Sequence, residues 1–451
     1  MQIGRLAIIG GALAFIVFLG TLLRPSVSFG ATISLTLKGA MERAIKENPD
    51  IRSLRERIKA QVEQKESVAR DKWAKLQAGY QYTWFNESPY IKFKDFGLLG
   101  EVPFGKSREV HWYVQLTQPI FTGFALSTSV ELASLGIDVK RVEYELGCLD
   151  LRFEAKRSFF ALLMAQGGLR VARDEVKALE AHLKEAKAFF EQGLIARNDL
   201  LRAEVAYRAS LQRLEEARSQ VKTLTAYLDS ILDLPLDTRL KLKEIESVPK
   251  IDLSLDQLKE MALQNRPELK AAALSIRQAR LEGRLAKSSL YPQLSLVGRY
   301  EQVGDDLLAN RNDFTNSENA LLILEAKWNL FEWGKTLHQM KEASYKANAM
   351  EEKARSLTNR VFYEIEEAKN TLLAKKKNMD TAKAAIKKAR EDLRLTKLQF
   401  EEQLASTSDV LDARRYLTEA ETNLLRARYG YLTALAMLER AVGVDFIYYG
   451  E

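Results

Sequence analysis

The feature that most constrains this chain is an internal duplication. Leu35-Thr-Leu-Lys-Gly-Ala-Met-Glu-Arg-Ala44 is echoed by Leu253-Ser-Leu-Asp-Gln-Leu-Lys-Glu-Met-Ala262, at an offset of 218 residues. Asn48-Pro49-Asp50-Ile51 matches Arg266-Pro267-Glu268-Leu269 in the same register. From Phe121 onward the offset is 210: Phe121 pairs with Phe331, Leu162-Leu163 with Leu372-Leu373, Phe190 with Phe400, and Asp199-Leu200-Leu201 with Asp409-Val410-Leu411. A single change of offset puts the length difference in loops before Phe121. The chain reads as a duplicated unit of helix, strand, strand, long helix, helix.

The spacing of helix breakers sharpens this. No proline lies between Pro119 and Pro235 and none follows Pro292, and glycine is absent from Lys335 to Tyr429. Proline breaks helix interiors, so these gaps permit very long helices. Residues 127–190 and 335–400 would each extend roughly 95–100 Å at 1.5 Å per residue. The helices that follow carry a seam. Ala413, Leu417, Ala420, Leu424, Ala427, Tyr431, Ala434, Leu438 and Ala441 step by 4 and 3 throughout. Ala203, Tyr207, Ser210, Leu214, Ala217, Val221, Leu224, Leu228 and Ile231 do the same. This period of 3.5 is that of a coiled coil, and its small residues let helices approach closely.

Composition excludes several classes. The +7 charge is spread as interleaved Lys/Arg and Asp/Glu, as in Leu211-Gln-Arg-Leu-Glu-Glu-Ala-Arg218. That is a solvated helical face and not the basic stripe of a nucleic-acid binder. Cys148 is the single cysteine, and His111, His182 and His338 are scattered, so no metal-ligand spacing exists. No nucleophile–base set or phosphate loop emerges. The expectation is a protein with no catalytic residues and no cofactor.

Residues 1–30 read as a signal peptide. Arg5 precedes an uncharged run from Leu6 to Leu23, Arg24-Pro25 ends it, and Ser28 and Gly30 offer small residues before a cut after Gly30. The length of the run leaves an uncleaved anchor as the other reading. Residues 31–250 form the first structural repeat, with a β-hairpin near 77–120 and a long helical hairpin over 124–234. Residues 251–451 form the second, with a β-hairpin near 292–331 and a helical hairpin over 334–443.

The hairpins alternate with a period of two. Val110, Trp112, Val114 and Leu116 interleave with His111, Tyr113, Gln115 and Thr117; Leu322, Leu324, Ala326, Trp328 and Leu330 interleave with Ile323, Glu325, Lys327 and Asn329. Their partners carry Tyr80, Tyr82 and Trp84, and Leu294, Leu296 and Tyr300. Strands of about ten residues cross a bilayer when tilted. Apolar-out, polar-in alternation with aromatic ends suits a transmembrane barrel, and a soluble sheet with one wet face alternates in the same way. In the barrel reading Trp73, Phe121, Phe124, Trp328, Phe331 and Trp333 form one aromatic girdle, and segments 86–109 and 303–319 are external loops. Four strands cannot close a barrel, and open edges in lipid leave unpaired amides, so that reading requires a homo-oligomer.

At this point the chain resembles the TolC family of outer-membrane efflux ducts over essentially all of residues 31–451. The carrying pieces are the repeated Asn48-Pro49 and Arg266-Pro267 helix starts and the strand ends Pro119-Ile-Phe-Thr-Gly123 and Asn329-Leu-Phe-Glu-Trp-Gly334. Phe190-Glu-Gln-Gly-Leu194 and Asp409-Val-Leu-Asp-Ala413 match the helical turns. The resemblance implies a mainly α fold with four transmembrane strands per chain. As a homotrimer it would make a twelve-stranded β-barrel in outer-membrane lipid, continued by a twelve-helix barrel in the periplasm. It implies a passive exit duct that docks a periplasmic adaptor at the helical tips (Gly193, Leu194, Gln403, Leu404), with an inner-membrane pump supplying energy. A soluble periplasmic coiled-coil structural or adaptor protein is the alternative.

The resemblance also implies a closed periplasmic mouth. Asp409 and Asp412 stand where the family has an acidic ring, and Asp199 matches an acidic partner. Crowded carboxylates on a three-fold axis would raise one another's pKa values and attract cations. Asp409 and Asp412 also suit the first turn of a helix capped by Ser408. Where the family has a tyrosine and an arginine that latch neighbouring chains, this sequence has Phe400 and Ala405. The latch is then weaker, moved to a donor such as Arg197, or replaced by packing.

Overall fold

The computed structural model describes residues 32–92, 101–103, 105–236, 238–245 and 253–446. The signal segment and its cut after Gly30 lie outside the described residues, as does part of the loop after Trp84. In chain order the elements are β1 (Thr32–Leu35), α1 (Leu37–Glu47), α2 (Pro49–Arg70), β2 (Lys75–Trp84), β3 (Tyr90–Lys92), β4 (Glu101–Pro103), β5 (Arg108–Thr122), α3 (Ala125–Glu191) and α4 (Arg197–Ile231). They continue with β6 (Arg239–Leu242), α5 (Leu255–Asn265), α6 (Pro267–Lys287), a 3-10 turn, β7 (Gln293–Gly304), β8 (Glu318–Lys327), α7 (Lys335–Glu401) and α8 (Thr407–Val442). The long helices α3 and α7 each hold 67 residues. No helix among the described residues is long and apolar enough to cross a membrane.

The elements gather into two compact units that cut across the duplication. One takes the segments Met1–Ala44, Ala155–Val248 and Asp380–Tyr429; the other takes Ile45–Glu154, Pro249–Met379 and Gly430–Glu451. In the first unit the coiled-coil seam is visible twice. Leu183, Ala186 and Ala203 join α3 to α4, flanked by Ile195, Leu200 and Tyr207. Leu393, Ala413 and Leu417 join α7 to α8. Every seam position of α4 is buried or half-buried. The same unit holds a pairing the sequence does not announce, β1 parallel to β6 with Thr32 opposite Arg239 and Leu35 opposite Leu242.

The second unit is built on an antiparallel sheet of order β2-β5-β7-β8. Leu76, Leu116, Gly298 and Leu322 lie side by side across it, as do Ala78, Val114, Tyr300 and Ala320. The other face carries Gln77, Gln115, Arg299 and Leu321 in one row. Period-two alternation leaves no choice once the register is set.

Around the sheet, helices start and stop as the repeat requires, with one divergence. Pro49 and Pro267 both occupy the first helical turn, where a missing N–H is harmless. Asn48 caps α2 in the ordinary way, its Oδ1 accepting from the Asp50 N–H at 2.9 Å. Its counterpart Arg266 does something else. Almost fully buried, it donates from Nη1 to the carbonyls of Arg440 (3.2 Å) and Ala441 (3.0 Å), the open carbonyls at the end of α8. Its Nη2 donates to Glu364 at 2.8 Å, and Nε lies 3.1 Å from Glu268. Gly443, at φ 79°, ends α8 against the Asn265 backbone, 3.2 Å from where a Cβ would sit.

Candidate functional site

Two regions can act, the sheet wall and the helical tips. On one face of the wall Leu76, Tyr80, Tyr82, Trp84, Leu116, Leu322 and Leu324 are exposed. A contiguous exposed apolar face of this size marks an interaction with lipid or protein. The opposite face holds a polar network. Arg299 donates to Gln115 from Nε and Nη2 (2.9 and 2.6 Å) and stacks over the Tyr113 ring, and His111 lies 3.3 Å from Glu301. One face therefore suits hydrocarbon and the other suits water.

The expected girdle residues group at one end of the sheet, where strands pass into helices. Phe121 meets Phe124 edge-on at 5.4 Å, Phe124 meets Tyr291 at 5.5 Å, and Phe331 meets Trp333 at 4.9 Å. Trp328 donates to the Leu290 carbonyl at 3.1 Å, and Trp73 stands exposed in the turn before β2. Phe124 (φ 69°) and Trp333 (φ 51°) both adopt the left-handed region, beside Gly123 (φ 61°) and Gly334 (φ 79°). A bulky residue there is a true outlier, held by surrounding structure. In the two repeats the order is reversed, Gly-Phe against Trp-Gly, so each turn needs one glycine and presents one aromatic.

The expected girdle covers one end alone. A second aromatic level stands toward the other end: Tyr80 is opposite Trp112, and Trp112 meets Tyr300 at 5.6 Å. Trp112 and Phe121 are nine residues apart on β5. At 3.4 Å per residue and a tilt of about 40° that is a height of about 23 Å, close to the apolar band of membrane barrels. The signal for it is the same alternation, read for aromatics at both ends of each strand.

At the tips the duplicated turns share one backbone. The N–H groups of Gly193 and Leu194 donate to Phe190 and Phe189, and those of Gln403 and Leu404 donate to Phe400 and Gln399. These are paired Schellman bonds, with Gly193 (φ 73°) and Gln403 (φ 63°) as the left-handed residues. Leu194 and Leu404 are exposed, the latter by 80%.

Two of the acidic candidates, Asp409 and Asp412, are engaged within the chain. Asp409 Oδ2 accepts from the Ser406 N–H (2.8 Å) and Oγ (2.7 Å), while Ser406 Oγ accepts from the Asp409 N–H at 3.3 Å. This capping box makes Ser406 the cap of α8 and corrects the expectation that Ser408 fills that place. The reason is position: α8 begins at Thr407, so Ser408 is already inside the helix and instead accepts from Arg202. Those Ser406 bonds hold the Asp409 carboxyl below the usual carboxylate range, opposite in sign to the effect expected of a crowded ring. Asp412 pairs with Arg415 at 3.3 Å. Asp199 is half-buried in the first turn of α4.

Phe400, only 4% exposed, meets His182 edge-on at 5.2 Å and Phe189 at 5.4 Å. Burial, reinforced by the charge of Lys397, pushes the His182 pKa down to about 4. These contacts lie within one chain, so they fix the tip without tying it to a neighbour. Ala405 is half-buried and Arg197 is exposed at the first residue of α4. No group of metal-ligating side chains gathers among the described residues.

An apolar wall backed by a polar face, joined in sequence to duplicated coiled-coil hairpins, defines a channel-forming protein of the outer membrane. The family described as outer membrane efflux protein matches residues 40–233 and 258–444, and the chain belongs to it. It is a passive exit duct, not an enzyme, located in the outer membrane and extending into the periplasm. Channels of this family are trimeric and work with adaptor proteins and inner-membrane pumps. The chain is 21% identical over 412 residues to the outer membrane efflux protein BepC of Brucella suis biovar 1, covering 90% of this chain and 86% of that one. It is 26% identical over 292 residues to the outer membrane protein TolC of Vibrio cholerae serotype O1, covering 64% and 66%. The crystal structure of the Campylobacter jejuni CmeC outer membrane channel shares the fold, with a TM-score of 0.74 at 14% identity over 90% of this chain and 85% of that one. The soluble coiled-coil and adaptor reading receives no support.

Proposed function

We propose that three copies join edge to edge, β8 of one against β2 of the next, and so close a barrel around a water-filled lumen. Within each copy the repeats 31–250 and 251–451 each supply one pair of long strands and one helical hairpin. The observation that supports this is the wall itself. Among the described residues β2 and β8 pair on one side only, and open edges in hydrocarbon leave amides unsatisfied. Trp73, Phe121, Phe124, Trp328, Phe331 and Trp333 mark its periplasmic interface. The tip residues Gly193, Leu194, Gln403 and Leu404 dock a periplasmic adaptor, and an inner-membrane pump drives transport.

Asp409, Asp412 and Asp199 line the periplasmic aperture. Capping and lining are compatible for Asp409, because both of its bonds to Ser406 use one oxygen and leave the other available. The test is single-channel current in planar bilayers with a multivalent cation added on the periplasmic side. The trimer should be blocked, more strongly at low salt. Asp409→Asn with Asp412→Asn should abolish the block while the trimer persists, since an amide oxygen at position 409 still accepts from the Ser406 cap. Equal block in parent and double variant would remove these residues from the aperture.

A further inference from the structure

We propose that the loop between β7 and β8 forms a rigid lip that folds over the outside of the wall and inserts Leu307 and Leu308 into the outer leaflet of the membrane. The inference rests on the barrel reading above. Its first support is direction. Tyr80 and Trp112 stand opposite each other on the apolar face of β2 and β5. Tyr80 Oη donates to the Leu307 carbonyl at 3.0 Å, and Trp112 Nε1 donates to the Leu308 carbonyl at 3.3 Å. A loop reached by both donors lies against the apolar face, away from the Arg299 and Glu301 face.

The second support is rigidity. Asp306 Oδ1 accepts from the N–H groups of Asn310 (2.9 Å) and Arg311 (3.1 Å), and the Asp305 N–H donates to the Arg311 carbonyl at 2.9 Å. Ala309, at φ 52°, is fully buried and lies 2.7 Å from where a Cβ on Gly304 would sit. The loop is therefore closed on itself. Leu307 and Leu308 are held outward with 70% and 69% exposure and cannot collapse into a core. Two adjacent leucines braced in this way are unfavourable in water and favourable in hydrocarbon.

The third support is height. The tyrosine and tryptophan that hold the lip form the aromatic level where a membrane barrel meets its interface. Beside it Asp305 pairs with both Lys106 and Arg311, and Asp313 pairs with Lys106 at 2.8 Å. Such a charged cluster belongs in water. The leucines sit at the boundary between the two, continuous with the lipid-facing wall, so the occupant we assign is lipid acyl chain.

The test uses the full-length trimer reconstituted in phosphatidylcholine vesicles, with the buried native thiol removed by Cys148→Ala and single introduced cysteines carrying an environment-sensitive fluorophore. The sites are Leu307→Cys, Leu308→Cys, Asn310→Cys and Leu322→Cys. Quenching by lipid nitroxides at shallow depth is compared with quenching by aqueous iodide. At 307 and 308 the lipid-to-iodide ratio should exceed that at 310 by about threefold or more, as for an apolar segment at the acyl boundary. A ratio at 307 and 308 equal to that at 310, with Leu322→Cys quenched from lipid, overturns the lip and keeps the barrel. Loss of lipid quenching at 322 overturns the barrel reading itself. Disulfide-linked dimers formed by unlabelled Leu307→Cys would assign the surface to a neighbouring copy and also overturn the proposal.

Discussion

The two tip turns are superimposable in sequence register and differently secured. Gly193 corresponds to Gln403, Ala196 to Ser406, Asp199 to Asp409 and Phe190 to Phe400. The first turn has the residue that enters the left-handed region freely, but Ala196 gives α4 no side-chain cap. The second accepts a strained Gln403 and offsets it with a full capping box and a buried ring. A duplicated backbone can thus be held by backbone freedom in one copy and by side-chain bonding in the other. The second arrangement rests on more side-chain contacts, and this makes it the more sensitive to substitution.

The largest effect should separate the two phenylalanines. Phe400→Ala removes a ring buried among His182 and Phe189 and should destabilise the α7–α8 tip by about 3–5 kcal/mol, whereas exposed surface side chains typically contribute under about 1. Phe190, 38% exposed, belongs with the latter. Hydrogen exchange of the tip amides measures both. An equal loss for Phe190→Ala would mean that a neighbouring copy buries it, and the asymmetry would vanish in the assembly.

Acid should loosen the packing of His182 on Phe400 next. His182 is neutral in the folded state, with its pKa pushed down to about 4 from an ordinary 6.5. The unfolded chain therefore binds the extra proton first as pH falls. Stability is complete above pH 6.5 and is lost progressively toward pH 4, by up to about 3 kcal/mol. Protection of the tip amides relative to their intrinsic exchange rates should fall from pH 7.5 to 4.5, and His182→Phe should flatten that dependence. An unchanged slope would mean that His182 is already charged.

Cap exchange is a smaller, reciprocal test. Ser406→Ala should weaken the start of α8 by about 1 kcal/mol, and Ala196→Ser should strengthen α4 by a similar amount or less. Amide protection in the first turns reads both. Smallest of all, Gln403→Gly should relieve the left-handed strain by about 0.5–1 kcal/mol, and Gly193→Ala should introduce it. If both glycine changes destabilise, Gln403 makes contacts that outweigh its backbone.

The periodic features were legible because each is written locally. The seam from Ala413 to Ala441, the alternation from Val110 to Thr117 and the prolines at helix starts need only a few neighbouring residues. The Ser406-Thr-Ser-Asp409 box was equally local, and reading Ser408 as the cap misplaced the helix start by two residues. What was illegible is long-range. Arg266 looks like a helix start beside Pro267, yet its guanidinium bonds carbonyls of Arg440 and Ala441, more than 170 residues away. No pattern within one repeat predicts that. The charged cluster of Lys106, Asp305 and Asp313 joins two loops in the same way.

The pairing of β1 with β6 has a consequence for how the chain is made. Thr32 must meet Arg239, a closure over roughly 200 residues that carries an entropic cost of about 5 kcal/mol. Leu35 and Leu242 bury their side chains there, and the Leu35 carbonyl accepts from the Lys243 N–H at 2.9 Å. A chain crossing a membrane from its N-terminus delivers β1 first and β6 only after the whole first repeat. Until then the opening strand has no partner edge and stays available to other strands or to a holding factor. β1 is therefore among the last strands to be fixed, because its partner edge arrives only when the first repeat is complete.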